Sequence, residues 1–391
     1  MSAVVRDRMS AERIDVPPGL AGVVVAETEL GDLRGLEGFY HYRQYSAVEL
    51  ARTRTVEDVW RLLLDGELPG PSTAREFGAE VRKLRDVPVD VAAALPAVAR
   101  TTADADALAG LRAALPMFAG TRRMRPLLDI DPPTRRRDAL ALGAVAPSLL
   151  AALWRLRTGA SVIAPRRDLD HAANYLWMLT GTEPSAAAVR AVNAYLVSTI
   201  DHGFNASTFT ARVVASTGAD LAAAVTAALG SLSGPLHGGA PSRALELLEL
   251  GSGESAAAYV REQVARGGRI MGFGHAVYRT EDPRSELMKE IALGFGGPRV
   301  DLAVEIERAI LATLEEVKPG RALRTNVEYY AALVMEAAGI PPAMFTATFA
   351  VARVLGWTAH ALEQAGVGKI IRPAARYVGP PPVMPARSSA G

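Results

Sequence analysis

A chain of 391 residues, 49% hydrophobic and 22% charged, has the make-up of a globular protein and enough length for one large or two moderate cores. Its formal net charge of +1 excludes a strongly polyanionic or polycationic partner as organising principle, so any basic site must be local. Without cysteine there is no disulfide framework, no thiolate nucleophile and no cysteine-ligated metal, and a cytoplasmic protein fits best.

The first twenty residues carry three arginines and no apolar stretch, so they read as a loose leader ending in Pro17-Pro18 and not as a signal peptide. Val23-Val24-Val25, followed by Glu27-Thr28-Glu29, is the best strand candidate. Thr55 as N-cap, Glu57 and Asp58 in the first turn and helical apolar spacing through Leu64 predict a helix that Gly66 and Pro69 end. Between residues 72 and 120, alanine-rich helical pieces alternate with Pro88, Pro96 and Pro116. The clusters Arg122-Arg123-Met124-Arg125 and Arg135-Arg136-Arg137 surround a turn at Pro132-Pro133 and read as solvated faces, not as a nucleic-acid surface. The apolar run Ala139–Trp154 is short for a bilayer span and contains Pro147 and Ser148, which makes it a buried helix and not a membrane segment.

Helical patterns follow at Leu169–Leu179, Ser185–Ser198, Thr208–Ala215, Ala219–Leu229 and Ser242–Leu250. Few segments alternate with period two, so the expected fold is all-α. Gly251-Ser-Gly253-Glu-Ser-Ala256 matches a dinucleotide fingerprint in form, but it follows a helical stretch and not a strand, so the match is chance. There is no phosphate loop and no helical zinc motif.

The chemistry-bearing candidates lie at the joints between these helices. In Met271-Gly-Phe-Gly-His-Ala-Val-Tyr-Arg279, His275 sits in a glycine-rich bend where backbone can approach a ligand. Asp282-Pro283 is a helix start, which puts Arg284 in the first turn, against the helix dipole, and suggests an anion to be bound. Arg279 adds a second cation; both arginines are equally readable as solvated loop residues. His237, in Gly234-Pro-Leu-His-Gly-Gly239, precedes a helical segment whose dipole would keep the imidazole neutral. His202 lies between Asp201 and Gly203. Glu328 ends Thr325-Asn-Val-Glu, a capping box, and on these residues alone the cap is the favoured reading. Arg353 interrupts the apolar helix Phe349–Trp357 and needs an anion, either Glu363 or a substrate. Arg372, beside Ile370-Ile371, is a similar arginine.

Taken together, these segments resemble the citrate synthase family over nearly the whole chain. The likeness runs from Phe39–Pro69 through Asp201-His-Gly-Phe-Asn-Ala-Ser-Thr208, Gly234-Pro-Leu-His-Gly-Gly239, Gly272 to Arg284, Asn326-Val-Glu328 and Arg353 to Ile371–Gly379, in the family's order. The resemblance implies an all-α, citrate synthase-like fold, with residues 1–237 and 334–391 as a large helical domain and 238–333 as a smaller one that closes over the substrates. It implies that acetyl-CoA is condensed with oxaloacetate and the citryl thioester hydrolysed, with acetyl-CoA as co-substrate and no tightly bound cofactor or metal. His237 would stabilise the enol of acetyl-CoA, Glu328 would remove the methyl proton and His275 would polarise the oxaloacetate carbonyl. His202, Arg284 and Arg353 would hold the oxaloacetate carboxylates, and Arg372 would join them from the neighbouring subunit of a homodimer. Arg279 would meet the phosphates or adenine of CoA. Neither nucleic acid nor membrane is an expected partner.

One position departs from the family. Glu328 stands where the family has aspartate, and the added methylene moves the carboxylate by about 1 Å. Two alternatives stand beside acetyl-CoA condensation: a 2-methylcitrate synthase using propionyl-CoA, since the two differ by a methylene in an acyl pocket that the sequence does not resolve, and a binding or regulatory paralogue of low activity, for which Glu328 is the hint.

Overall fold

The computed structural model of the protein describes residues 14–104, 107–238, 245–275, 277–321 and 323–382. Its residues fall into two compact units. The smaller comprises Met1–Glu27 and Ile370–Gly391. Its described part is largely irregular, with a 3-10 turn at Pro18–Leu20, an Arg376–Asp15 ion pair at 2.6 Å and a Tyr377 hydroxyl donating to the Pro380 carbonyl at 2.8 Å. The expected strand at Val23–Val25 does not form: Val24 is 86% exposed, so the apolar run has no face to bury. Arg372 lies in this unit, exposed on a segment without regular secondary structure.

The larger unit, Thr28–Lys369, carries everything else and is almost wholly helical. It opens with a small antiparallel sheet, β1 (Gly31–Arg34), β2 (Phe39–Tyr42) and β3 (Tyr45–Ser46), in that order and with Asp32 opposite His41. Sequence reading missed these strands, which are short. Alternation in β2 sends Tyr40 and Tyr42 inward, where their hydroxyls donate to the carbonyls of Ser198 (3.0 Å) and of Val197 and Asp201 (3.0 and 3.1 Å). The sheet thereby braces the loop that carries His202.

Among the described residues the α-helices are α1 (Ala47–Thr53), α2 (Val56–Asp65), α3 (Pro71–Lys83), α4 (Val89–Thr101), α5 (Ala107–Arg122), α6 (Pro132–Arg157), α7 (His171–Thr180), α8 (Ala186–Thr199), α9 (Ala206–Ser216), α10 (Leu221–Leu232), α11 (Gly253–Ala265), α12 (Pro283–Phe295), α13 (Pro298–Val317), α14 (Val327–Ala337) and α15 (Phe345–Val367). Local signals set their ends. Thr55 and Asp58 form the capping box of α2 and Gly66 ends it in the left-handed region. Asp170, Ser185 and Asp220 cap α7, α8 and α10. Pro132-Pro133 is the start of α6 and not a turn, because Asp131 caps it and proline is tolerated in a first helical turn. There Arg136 pairs with Asp65 and Glu80, which explains part of the arginine run as a structural tie.

Helix α6 is, among the described residues, the one helix long and apolar enough to cross a membrane, and 83% of its apolar window is buried inside the fold. It packs with α15, which also meets α8, α9 and α10. A side chain at Gly356 of α15 would stand 2.1 Å from the Ile200 carbonyl oxygen. Only glycine lets α15 press against the end of α8, and this approach sets Arg353 beside Thr199 and His360 beside Asp201.

Candidate active site

His202, His237, His275, Arg284, Glu328 and Arg353 line one cavity of about 1280 Å³ within the larger unit. They come from five separate stretches of chain. Arg279 faces a small adjoining pocket of about 40 Å³, to which His275 and Arg321 also contribute.

The loop bearing His275 is shaped by Gly272 and Gly274, both at positive φ (85° and 89°). It is pinned by a bridge between Phe273 and Thr325 and by the Asn326 amide donating to the Gly272 carbonyl at 2.9 Å. His275 Nδ1 accepts from the amides of Val277 (3.0 Å) and Tyr278 (3.2 Å), which leaves the ring proton on Nε2. Arg284 Nη2, another donor, lies 3.0 Å from that same Nε2. Two donors thus converge on one spot, an arrangement relieved when an acceptor oxygen enters between them. Burial, reinforced by Arg284, pushes His275 down to about 4, so the imidazole is neutral near pH 7.

Asp282 and Pro283 start α12 as expected, with Asp282 accepting from the Arg284 amide at 3.0 Å. The buried Asp282 carboxylate also forks onto the Arg284 guanidinium, at 3.0 and 2.8 Å, and accepts from the Val327 amide at 3.2 Å. Arg284 therefore has a protein anion already, and Asp282 links it to the helix that carries Glu328. Burial alone would disfavour the cation, but Asp282 outweighs it and holds Arg284 charged.

The capping box at Thr325–Glu328 is not made. Asn326 caps α14 instead, its Oδ1 accepting from the Glu328 amide at 3.1 Å, while the Thr325 hydroxyl donates to Glu307 at 2.7 Å. The Glu328 carboxylate is left facing the cavity with no hydrogen-bond partner among the described residues. Burial pushes it up to about 7, with Arg284 opposing.

Arg353 does not pair with Glu363, which Arg212 takes. Its Nε donates to the Thr199 carbonyl at 2.7 Å and its guanidinium stacks on Phe349 at 4.5 Å, while Nη1 is buried without a partner. Burial lowers it to about 10, and Asp201 opposes that shift. His202 Nε2 lies 3.0 Å from the Tyr278 hydroxyl, and burial, then Arg284 and Arg353, keep the ring neutral. His237 Nε2 lies 2.8 Å from the Ser207 hydroxyl. Burial and then Arg353 lower it to about 4. The helix start invoked for that effect at Ser242 lies outside the described residues.

Sequence reading missed Asp282 as a clamp, Ser207 and Tyr278 as histidine partners, and Tyr195, whose phenol lines the cavity. Asp282 was concealed because its capping role already accounted for it. Also missed are Arg269, Lys318 and Arg321, which line the cavity and have no ion-pair partner among the described residues. No group of three or more His, Asp or Glu among the described residues could hold a metal ion.

A bare carboxylate, three neutral imidazoles and two buried guanidiniums around one cavity define an acid–base enzyme that handles an anion. The sequence profile described as "Citrate synthase, C-terminal domain" matches residues 19–374. A Mycobacterium tuberculosis protein is 41% identical over 375 residues, covering 94% of each chain. The citrate synthase of Synechocystis is 37% identical over 367 residues, 92% of this chain and 90% of that one. Thermoplasma acidophilum citrate synthase, solved as a ternary complex with carboxymethyl coenzyme A and oxaloacetate, superposes with a TM-score of 0.85 at 28% identity, covering 93% of this chain and 96% of that one. The chain belongs to the citrate synthase family, with its all-α fold, and is an acyl-transferring enzyme of that class.

Proposed function

We propose that the protein condenses acetyl-CoA with oxaloacetate and hydrolyses citryl-CoA to citrate and CoA. The convergence of His202, His237, His275, Arg284, Glu328 and Arg353 on one cavity carries this reading. In it, one oxaloacetate carboxylate meets the unpartnered Nη1 of Arg353, and the keto oxygen enters between His275 Nε2 and Arg284 Nη2. His202 stands beside them as a neutral donor. An arginine fork suits a carboxylate where a lysine point charge does not.

Glu328 takes the methyl proton of acetyl-CoA, and a carboxylate raised to about 7 is well matched to that task at neutral pH. The Ser207 hydroxyl lies 2.8 Å from both Asn205 Oδ1 and His237 Nε2; when it turns from Asn205 to donate its hydrogen bond to Nε2, the ring proton of His237 sits on Nδ1 and is directed to the enolate oxygen. The carbon nucleophile then attacks the polarised ketone, and water hydrolyses the thioester. Residues 238–333 serve as the smaller body that closes over residues 1–237 and 334–391 and excludes water until the carbon–carbon bond has formed. Arg269, Lys318 and Arg321 join Arg279 as cations for the CoA phosphates. Arg372 completes the site from the neighbouring subunit of a cytoplasmic homodimer.

Release of free CoA, measured with acetyl-CoA and with propionyl-CoA in the presence of oxaloacetate, tests the reading. The expected result is oxaloacetate-dependent release with the higher kcat/KM for acetyl-CoA. A preference for propionyl-CoA makes the enzyme a 2-methylcitrate synthase, and oxaloacetate binding without release makes it a binding paralogue.

A further inference from the structure

Behind the cavity wall lies a chain of buried polar groups to which the proposed reaction assigns no role. Asp201, His360 and Arg212 are 3%, 1% and 0% exposed. Asp201 Oδ1 lies 3.1 Å from His360 Nε2, and Arg212 Nη1 lies 3.1 Å from His360 Nδ1. A guanidinium can only donate, so Nδ1 must be the acceptor and the single ring proton must sit on Nε2, where it is donated to Asp201. Arg212 is fixed in turn by Gln364 at 3.1 Å and by Glu363. The second oxygen of Asp201 accepts from the Gly203 amide at 3.2 Å.

Each Asp201 oxygen therefore has a partner, and neither bonds to Arg353, although the carboxylate is near enough for its charge to act on that guanidinium. Burial works against the Asp201 anion, and the bond from His360, Arg353 and the Gly203 amide outweigh it. The result is a counter-charge held off at a distance. It makes the buried Arg353 tolerable without capping Nη1, which is left buried and without a partner. Asp201 is also the residue before His202, so the same bonds fix the loop that carries that histidine.

We propose that His360, held as the neutral Nε2–H tautomer between Arg212 and Asp201, is a positioning residue that keeps Asp201 from closing onto Arg353 and so keeps Arg353 free to bind a substrate carboxylate. This rests on the reading of the cavity as the oxaloacetate site. Removing the Nε2 donor frees an Asp201 oxygen to compete with the substrate for the guanidinium. Glutamine at position 360 can offer an N–H to Asp201 and an oxygen to Arg212, and so can stand in for the imidazole.

Three measurements together test this. Long-range proton–nitrogen spectra of ligand-free protein labelled at histidine nitrogen, assigned through His360→Gln, read the tautomer without any variant having to tolerate the loss. A neutral ring protonated at Nε2 is expected, and an imidazolium or an Nδ1–H form overturns the proposal. In kinetics, His360→Leu is expected to raise KM for oxaloacetate by about 10- to 100-fold while kcat changes far less. His360→Gln should recover most of that loss. An unaltered KM in a folded His360→Leu, or a glutamine variant as impaired as the leucine one, overturns the role of His360. Calorimetric titration of wild-type protein with oxaloacetate separates the two levels: no uptake there overturns the proposed function itself, whatever His360 does.

Discussion

The wall of the cavity and the packing behind it contain the same residue types in opposite conditions. Glu307, on α13, accepts from Lys289 (2.7 Å), Thr325 (2.7 Å) and Tyr330 (2.6 Å), whereas Glu328, on α14, accepts nothing among the described residues. Arg212 is bonded to Gln364, His360 and Glu363 and stacks on Phe204, whereas Arg353 keeps one bond and a bare Nη1. Residue type and burial therefore do not separate the structural groups from the functional ones. Within these two pairs satisfaction does: Glu307 and Arg212 are bonded on several sides, whereas Glu328 and Arg353 hold groups whose partners have yet to arrive.

The sharpest way to break that contrast is to neutralise each glutamate in turn. Glu328→Gln is expected to lower kcat by about 10²–10⁴-fold while calorimetry shows oxaloacetate binding nearly intact. Turnover that survives removes Glu328 from the role of base. Glu307→Gln should do the reverse, costing about 1–3 kcal/mol of unfolding free energy in denaturant titration, because it weakens a three-bonded buried anchor.

The two arginines give the next effect in size. Arg353→Leu is expected to weaken oxaloacetate binding by about 10- to 100-fold with no fall in thermal midpoint, since it removes a buried cation whose bonds are incomplete. A large loss of stability would show that Arg353 belongs to the packing after all.

A pH profile sharpens the account of Glu328. The carboxylate must be ionised to accept a proton and burial raises it to about 7, so kcat should rise as pH climbs through about 7. An ascending limb near the ordinary glutamate range would contradict that burial effect. The smallest effect is at His171, a buried imidazole on α7 with both ring nitrogens unpartnered and pushed down to about 3 by burial and then Arg85. Its native form stays neutral while the unfolded chain takes up a proton near the ordinary histidine value. This group's contribution is thus present above about 6.5 and lost as pH falls towards about 3. His171→Leu should flatten the fall in thermal midpoint across that window.

Much of this was legible in the sequence because the signals were local. Thr55 with Asp58, and Asp282 with Pro283, each name a helix start within a few residues, and both were found where expected. The resemblance to the family singled out the six cavity positions as a group. What escaped depends on distant competition. Thr325 could not be seen to lose the cap to Asn326, because Glu307, eighteen residues earlier, takes its hydroxyl. Glu363 looked like the partner of Arg353 along the same helix, yet Arg212 claims it from α9. Asp201 and His360 are 159 residues apart, and no periodicity joins them. The three short strands escaped because β2 buries tyrosines against the backbone of α8, a demand set by tertiary packing and not by local propensity.

The central claim is that unpaired donors on the cavity wall are waiting for a keto-diacid. The most direct measurement is a crystal structure of the protein with bound oxaloacetate. The account predicts a carboxylate within hydrogen-bond distance of Arg353 Nη1 and the keto oxygen between His275 Nε2 and Arg284 Nη2. Oxaloacetate bound with Arg353 Nη1 still bare, or absent from the cavity at saturating concentration, would contradict it.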